Sequence, residues 1–457
     1  MEALATFATN VAYDDLPAEA VHAAKRCLVD QFGCALFGAT PPWSRLLQTY
    51  VEAQGSAPVA RVWGTNIRTS PALAGLANGL AGHAFEIDDL HTDGTIHPGA
   101  VAIPAALAIA EKIGGVSGRE FLAAVVAGYE VGIRVGMVMG IPHFLRGFHP
   151  QGTVGVFCAV VAAGRLLKLD VARMSDAIAI AASQGAGLMG AQEGGMVKRF
   201  HSGHACHAGV MAAELAAIGF TGARDALEAP FGGFIQSLRG ETVNLPALTA
   251  GLGTVWETSR VGFKAYASCA TVHTSIDAIR KIMSEHRLAA DDILEIVAHV
   301  TTDAWIHSGF EYRGEDVTSA QMNIHFGVAA FICDGEVGPR QFAAERLRDP
   351  RILALIERIK VEPDTALDAK GRAKRFSAWM EVRRRHGDPI IVHIETRRGE
   401  GELLLSDAEV FEKYDALAAA VPGVDGRALR DAVMAIETMP DMAALAALLC
   451  PSQGADR

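Results

Sequence analysis

The sequence contains no CxxC pair, and its cysteines are odd in number. Seven are scattered singly at Cys27, Cys34, Cys158, Cys206, Cys269, Cys333 and Cys450. Such spacing makes neither a disulfide framework nor a zinc knuckle, and it fits a reducing cytoplasm. Aromatics are scarce, at 7 % of residues, while Ala and Gly abound, so close-packed helices are expected. Positive charge is in deficit. A formal net charge of −11 argues against a nucleic-acid partner, which needs a basic face. A small anionic substrate stays compatible, because a local group of cations can oppose the global sign. The start, MEALATFATNVAYDDLP, carries acids early and no basic lead into an apolar core, so it does not read as a signal peptide. The most apolar stretches are broken by glycine or charge before membrane-spanning length. There is no internal repeat and no GxxxxGK[ST] phosphate loop.

What remains is a long, apolar chain. Its 457 residues favour two domains over one. Residues 1–262 repeat apolar side chains at three- and four-residue steps, over 17–37, 70–85, 99–113, 118–140, 152–168, 173–186 and 203–219. Several of these, such as AVAIPAALAIA, are apolar on nearly all sides, which predicts helices buried inside a bundle. The texture changes near residue 263. Strands are expected at 294–302, 358–363, 377–385 and 388–398, with helical stretches at 271–286 and 318–333. This predicts a smaller α/β unit over 263–399. The segment 400–457 returns to helix and is expected to pack back on the first domain. The fold class is thus mainly α with a smaller α/β domain.

Four clusters carry chemistry. The first, His83-Ala-Phe-Glu86-Ile-Asp88-Asp89-Leu90-His91-Thr-Asp93-Gly-Thr-Ile-His97, places four acids and three histidines between two apolar helices. Carboxylates and imidazoles together are the parts for acid–base work near neutral pH. A solvated acidic loop, or helix caps made by Asp88 and Asp89, is the plainer alternative. The second is Arg146-Gly-Phe-His149-Pro, a histidine on a turn before a buried helix. The third is glycine-rich and ends in Lys198-Arg199-Phe-His201-Ser-Gly-His204-Ala-Cys206-His207. Cations ahead of a helix suit a carboxylate. The three-residue spacing of His201, His204 and His207 also admits a metal, although it drifts around a helix. The fourth, Phe263-Lys264-Ala-Tyr266-Ala-Ser268-Cys269, falls at the boundary of the two units, where clefts form. Lys264 there suits a carboxylate, and Cys269 begins a helix, a place that lowers a thiol pKa.

In this order the four stretches, with the later ICDGEVG, resemble the MmgE/PrpD family, whose members include 2-methylcitrate dehydratase, cis-aconitate decarboxylase and iminodisuccinate epimerase. The resemblance implies a large helical domain, a smaller α/β lid domain, usually a homodimer, and a site between the domains that uses no metal or other cofactor. Carried over by position, it makes His97 and His149, with Asp89 and Glu86, the acid–base residues. It makes Lys198 and Lys264 the carboxylate grips, with Asp88, His91, Cys269, Arg199 and His201 around the substrate. The family pattern D-F-D-D-T-H reads here Glu86-Ile-Asp88-Asp89-Leu90-His91, and a site tyrosine falls on Phe326.

The activity expected first is a cytoplasmic lyase of the hydro-lyase type, dehydrating a 2-methylcitrate-like polycarboxylate. The alternatives are an epimerase of an amino- or imino-dicarboxylate, a cis-aconitate-type decarboxylase, and an inactive family member that acts as a binding protein.

Overall fold

The computed structural model describes residues 1–240, 243–314 and 316–452, without the side chain of Glu193. The last part of the expected C-terminal segment, 453–457, lies outside the described residues.

Small side chains let helices cross closely, and six of the helices in the first part of the chain frame its bundle. They are α1 (Ala18–Gly38), α2 (Pro71–Gly82), α3 (Gly99–Ile113), α4 (Gly118–Leu145), α5 (Gly155–Leu166) and α6 (Val197–Ala217). Every residue of α3 from Gly99 to Ala110 is buried, as its all-round apolar sequence predicts. The crossing of α2 on α6 depends on glycine. A Cβ on Gly203 would lie 2.4 Å from the Leu76 carbonyl oxygen, and one on Gly79 would lie 2.9 Å from the Cys206 Cβ. No other residue allows this approach without moving a backbone.

Helix α4 starts on a capping box. Ser117 N–H donates to Glu120 Oε2 at 3.1 Å, and the Glu120 N–H donates back to Ser117 Oγ at 3.3 Å. The helix kinks at Gly140, whose φ is +57°, which is where the sequence predicts its end. By length and composition α4 could cross a membrane, contrary to the expectation that no stretch reaches that length. It is instead buried in the bundle, and its two central charges are matched there. Glu130 accepts from the Thr258 N–H at 2.8 Å and pairs with Arg134, which also donates to the Val255 carbonyl at 2.7 Å.

Beyond residue 263 a mixed sheet appears. Its strands are β1 (Ile293–Val300), β2 (Ile359–Pro363), β3 (Ala378–Arg384) and β4 (Ile390–Ile394), in the order β2-β1-β3-β4. Strand β1 pairs parallel with β2 and antiparallel with β3, and β3 pairs antiparallel with β4. Alternating burial along β1 and β3 gives one face to a core with α7 (Ala270–His286) and α9 (Ile324–Asp334). Between them lies the short helix α8 (Thr302–Ser308). Helix α10 (Asp407–Ala418) then lies along α1, and Leu429, Val433 and Leu445 of the tail join the helical core.

The molecule is mainly α, with small sheets. Two large hydrophobic cores form, and the second, around the sheet, also takes in Cys34, Phe85, Ile87 and Leu417 from outside its own stretch of chain. Helices that escape the sequence reading include Glu2–Asn10, Pro42–Ala53, Phe234–Arg239, Thr302–Ser308 and Pro350–Ile356. The expected helix 318–333 is two, Val317–Gln321 and Ile324–Asp334, because the Asn323 side chain caps the second at the Phe326 N–H.

Candidate active site

The seam between the two cores encloses a cavity. The loop after α2 brings Glu86, Leu90, Thr95 and His97 to it, the turn before α5 brings His149 and Gln151, and the first turn of α6 brings Lys198. Lys264, Cys269, Thr271, His307, Met322, Arg375 and Phe376 close it from the sheet side. His97, His149, Lys198 and Lys264, drawn from four distant stretches, therefore share one wall system.

Glu86 is its hub. Its backbone stands at φ +55°, a conformation rare for a residue with a Cβ and concentrated at functional positions. One carboxylate oxygen accepts from Lys198 Nζ, and the other accepts from Lys264 Nζ at 3.0 Å. Burial alone would raise its pKa. The two ammonium groups outweigh burial and hold it well below the usual range. One carboxylate between two ammonium groups leaves positive charge in excess, with spare donors on each lysine.

Asp88 lies deeper. Its Oδ2 is 2.8 Å from His83 Nδ1 and 3.4 Å from His97 Nδ1, and its Oδ1 is 3.9 Å from Lys264 Nζ. Burial again opposes the charged form, but His83 and His97 keep the group well below the carboxylate range. His97 Nδ1 is 2.7 Å from the Asp89 carbonyl oxygen. A carbonyl only accepts, so Nδ1 carries the proton and Nε2 is the free ring nitrogen. Gln151 fixes the backbone of this residue: its Oε1 accepts from the His97 backbone N–H at 3.0 Å, and its amide donates to the His97 carbonyl at 3.1 Å and to Ser202 Oγ on α6 at 2.9 Å.

Burial pushes His97 down to about 3, against the pull of Asp88. Burial, then Lys198 and His201, push His149 well below its ordinary value. His149 Nδ1 and His201 Nδ1 are 2.9 Å apart, one donating to the other, and His201 is lowered to about 4 by burial and then Lys198. His97 and His149 are therefore neutral at pH 7 in the free protein. A polyanion brought against them would raise both values and make proton transfer accessible near neutrality.

Three of the expected residues stand elsewhere. Asp89 accepts from the Gly99 N–H at 3.1 Å and from the Tyr129 hydroxyl at 2.9 Å, so it anchors the start of α3 inside the helical core. Burial and the adjacent Asp88 push its carboxyl well above the usual range. His91 Nε2 lies 3.2 Å from Glu257, its Nδ1 accepts from the Gly94 N–H, and the residue faces a different cavity, with Asp93 and Arg260. Arg199 crosses the seam. It donates to the Ala84 carbonyl at 3.2 Å, to Gln321 Oε1 at 2.7 Å and to Thr318 Oγ1, and lies over the Trp43 ring. Asp88 and His201 stand one layer behind His97 and His149.

Among the described residues, one group could hold a metal ion. Ligand atoms of His83, Asp88 and His97 lie within 4.8 Å of one another. His83 Nδ1 and Asp88 are already bonded to each other, and the Lys264 ammonium approaches the same carboxylate. The triplet His201, His204 and His207 diverges instead: His201 meets His149, while His204 meets the Gln184 carbonyl at 3.2 Å.

Arg375 and His307 are missing from the sequence reading. Arg375 precedes β3 and donates to Thr95 Oγ1 at 3.0 Å, adding a third cation; burial and then Arg372 lower its pKa to about 10. His307 sits on α8, where an isolated histidine in AWIHSG gives no pattern to read.

The family model for the MmgE/PrpD N-terminal domain matches residues 2–246, and that for the MmgE/PrpD C-terminal domain matches residues 266–438. The chain belongs to the MmgE/PrpD family. Within it, the chain is similar to a cis-aconitate decarboxylase of Aspergillus terreus, at 28 % identity over 97 % of this chain and 95 % of that protein. A cis-aconitate decarboxylase-like protein of Aspergillus oryzae is 30 % identical over 98 % of this chain and 96 % of its own. The cis-aconitate decarboxylase of Homo sapiens is 26 % identical over 98 % and 94 %. These names favour the decarboxylase alternative over the 2-methylcitrate dehydratase reading that the sequence put first.

Proposed function

We propose that the protein is a lyase that decarboxylates a cis-aconitate-like unsaturated tricarboxylate. The observation that carries this reading is the cluster of buried Lys198 and Lys264 with half-buried Arg375, facing two neutral imidazoles, His97 and His149. Losing carbon dioxide breaks a carbon–carbon bond and leaves its electron pair on the remaining skeleton. Conjugation through the double bond moves that pair toward a second carboxylate, where negative charge builds up. Preorganised ammonium and guanidinium groups stabilise charge of this kind most effectively in a buried site. A proton must then reach carbon. His97, held by Asp88 and the Asp89 carbonyl, and His149, backed by His201, are the groups that deliver it, once bound carboxylates have raised their pKa.

The apolar lining fits the departing group. Leu90, Phe144, Met189, Met322 and Phe376 offer no donor, and such a surface favours neutral carbon dioxide over the carboxylate it came from. Leu90, where the family pattern has Thr, removes a hydroxyl from this wall. In the same reading residues 263–399 act as a lid, the reaction takes place in the cytoplasm without a metal, and the protein works as a homodimer.

Incubating purified protein with cis-aconitate should release carbon dioxide and produce a terminal methylene signal in proton NMR. A parallel incubation with 2-methylcitrate tests dehydration. Carbon dioxide from neither, with water loss from 2-methylcitrate, would return the assignment to the hydro-lyases.

A further inference from the structure

Six of the seven cysteines are ordinary or inert. Burial pushes the thiols of Cys27, Cys34, Cys158, Cys206 and Cys333 up, and that of Cys450 up to about 11. Cys269 differs in its surroundings. Its Sγ lies 3.9 Å from His307 Nδ1 and accepts a hydrogen bond from the Thr271 hydroxyl at 3.1 Å. Thr271 is itself 2.5 Å from Ser308 Oγ, on the helix that carries His307. Cys269 also occupies the N-cap of the seventeen-residue helix α7, so the helix's free N–H groups add positive potential. His307 Nε2 is buried with no hydrogen-bond partner in the chain, and the Phe144 ring stands edge-on at 4.9 Å.

The charged groups facing the sulfur are His307, Lys264 and Arg375, with the Glu86 carboxylate opposing them. Burial works against a thiolate here, but the charge and hydrogen bond of His307 outweigh it and bring Cys269 down to about 6. The sulfur, the imidazole, Lys198, Lys264 and Arg375 all border one cavity.

We propose that Cys269 and His307 form a nucleophilic thiolate–imidazolium pair, a covalent modification site for small anionic soft electrophiles entering the cavity. Two chemical classes fit. With a haloacetate, a sulfur–carbon bond forms, the carbon–halogen bond breaks and halide leaves; the thiol proton is already on His307. With an alkene conjugated to a carboxylate, sulfur bonds to the β carbon, the π pair moves to the α carbon, and that carbon takes the proton from His307. The cations beside the sulfur select for a carboxylate on the electrophile. This inference does not depend on which reaction the cavity catalyses.

The test is alkylation of the full-length native protein with iodoacetate and with iodoacetamide across pH 5 to 9, mapped by peptide mass spectrometry. Cys269 should be the first residue labelled, with a half-maximal rate near pH 6. Iodoacetate should outpace neutral iodoacetamide at low salt, and added salt should shrink that advantage. His307→Gln should lower Cys269 labelling at pH 7 by about tenfold or more. If that variant does not fold, the pH profile of the unaltered protein decides alone. Three results would each overturn the proposal: a midpoint near the ordinary thiol value of about 8.5, protection of Cys269 until the protein is denatured, or iodoacetamide reacting as fast as iodoacetate.

Discussion

Lys198 and Lys264 hold one carboxylate between them, so removing either ammonium group acts twice. It deletes a grip for an anionic substrate, and it leaves Glu86 with a single cation in a buried place. Lys198→Met keeps the aliphatic stem and loses only the charge. Its kcat/KM on cis-aconitate should fall by about 10²–10³, the scale of losing one preorganised charge-stabilising group. Far-UV circular dichroism should be unchanged. A variant within threefold of the unaltered protein would show that Lys198 contributes packing alone. At this scale the acidic run misleads the sequence reader. Glu86, Asp88, Asp89 and His91 are close in the chain, yet they point to the cavity, to the layer behind it, to the helical core and to another cavity. Burial decides between these fates, and no local pattern reports it.

The elements are more legible than the residues, because periodicity survives in the sequence. The crossing of α2 and α6 shows the rule and its limit. Gly203→Ala would put a methyl 2.4 Å from the Leu76 carbonyl oxygen, so one helix must shift. The expected cost is about 1–3 kcal/mol, read from the denaturant midpoint, together with a loss of activity because Lys198 rides on the displaced helix. A midpoint equal to that of the unaltered protein would mean the crossing has slack. The apolar repeat in 203–219 reveals the body of α6, but its first turn, from Val197, is hidden by the glycines before it. That turn places Lys198 and His201 three residues apart on one face. The strands are legible because buried apolar side chains alternate with more exposed ones along β1 and β3. The helix Pro42–Ala53 is not, since about half its residues are polar and its apolar run is thin. The cavity itself required the fold: Arg375 and His307 are ordinary letters until β3 and α8 bring them across from Thr95 and Phe144.

At the scale of the whole molecule, side chains from each half close over the other. Arg199 reaches Thr318 and Gln321, and Arg375 reaches Thr95. Burying so many ionisable groups makes stability depend on acidity. Burial lowers His97 to about 3 and His143, His201 and His325 to about 4, and it drives His149 and His273 well below their ordinary value. Each of these rings binds a proton in the unfolded chain below about pH 6.5 but not in the folded one. Their stabilising contribution is therefore complete above pH 6.5 and is lost as pH falls toward the folded values, at up to about 1.4 kcal/mol per unit for each ring. Asp30, Asp89 and Asp277, raised by burial, act in the opposite sense, losing their contribution as pH rises, but the six imidazoles outnumber them. The melting temperature should accordingly drop by several degrees between pH 7.5 and 5, measured by calorimetry. A constant or rising value on acidification would contradict the neutral assignment of these rings.

Glu86 gives this architecture a last consequence. Because it escorts two ammonium groups into a dry place, their hydration is stripped once, while the chain folds, and not again at every encounter with a ligand. An arriving polycarboxylate trades partners with a resident counter-ion instead of dragging solvated cations inward, so the receptor is cationic before its guest appears.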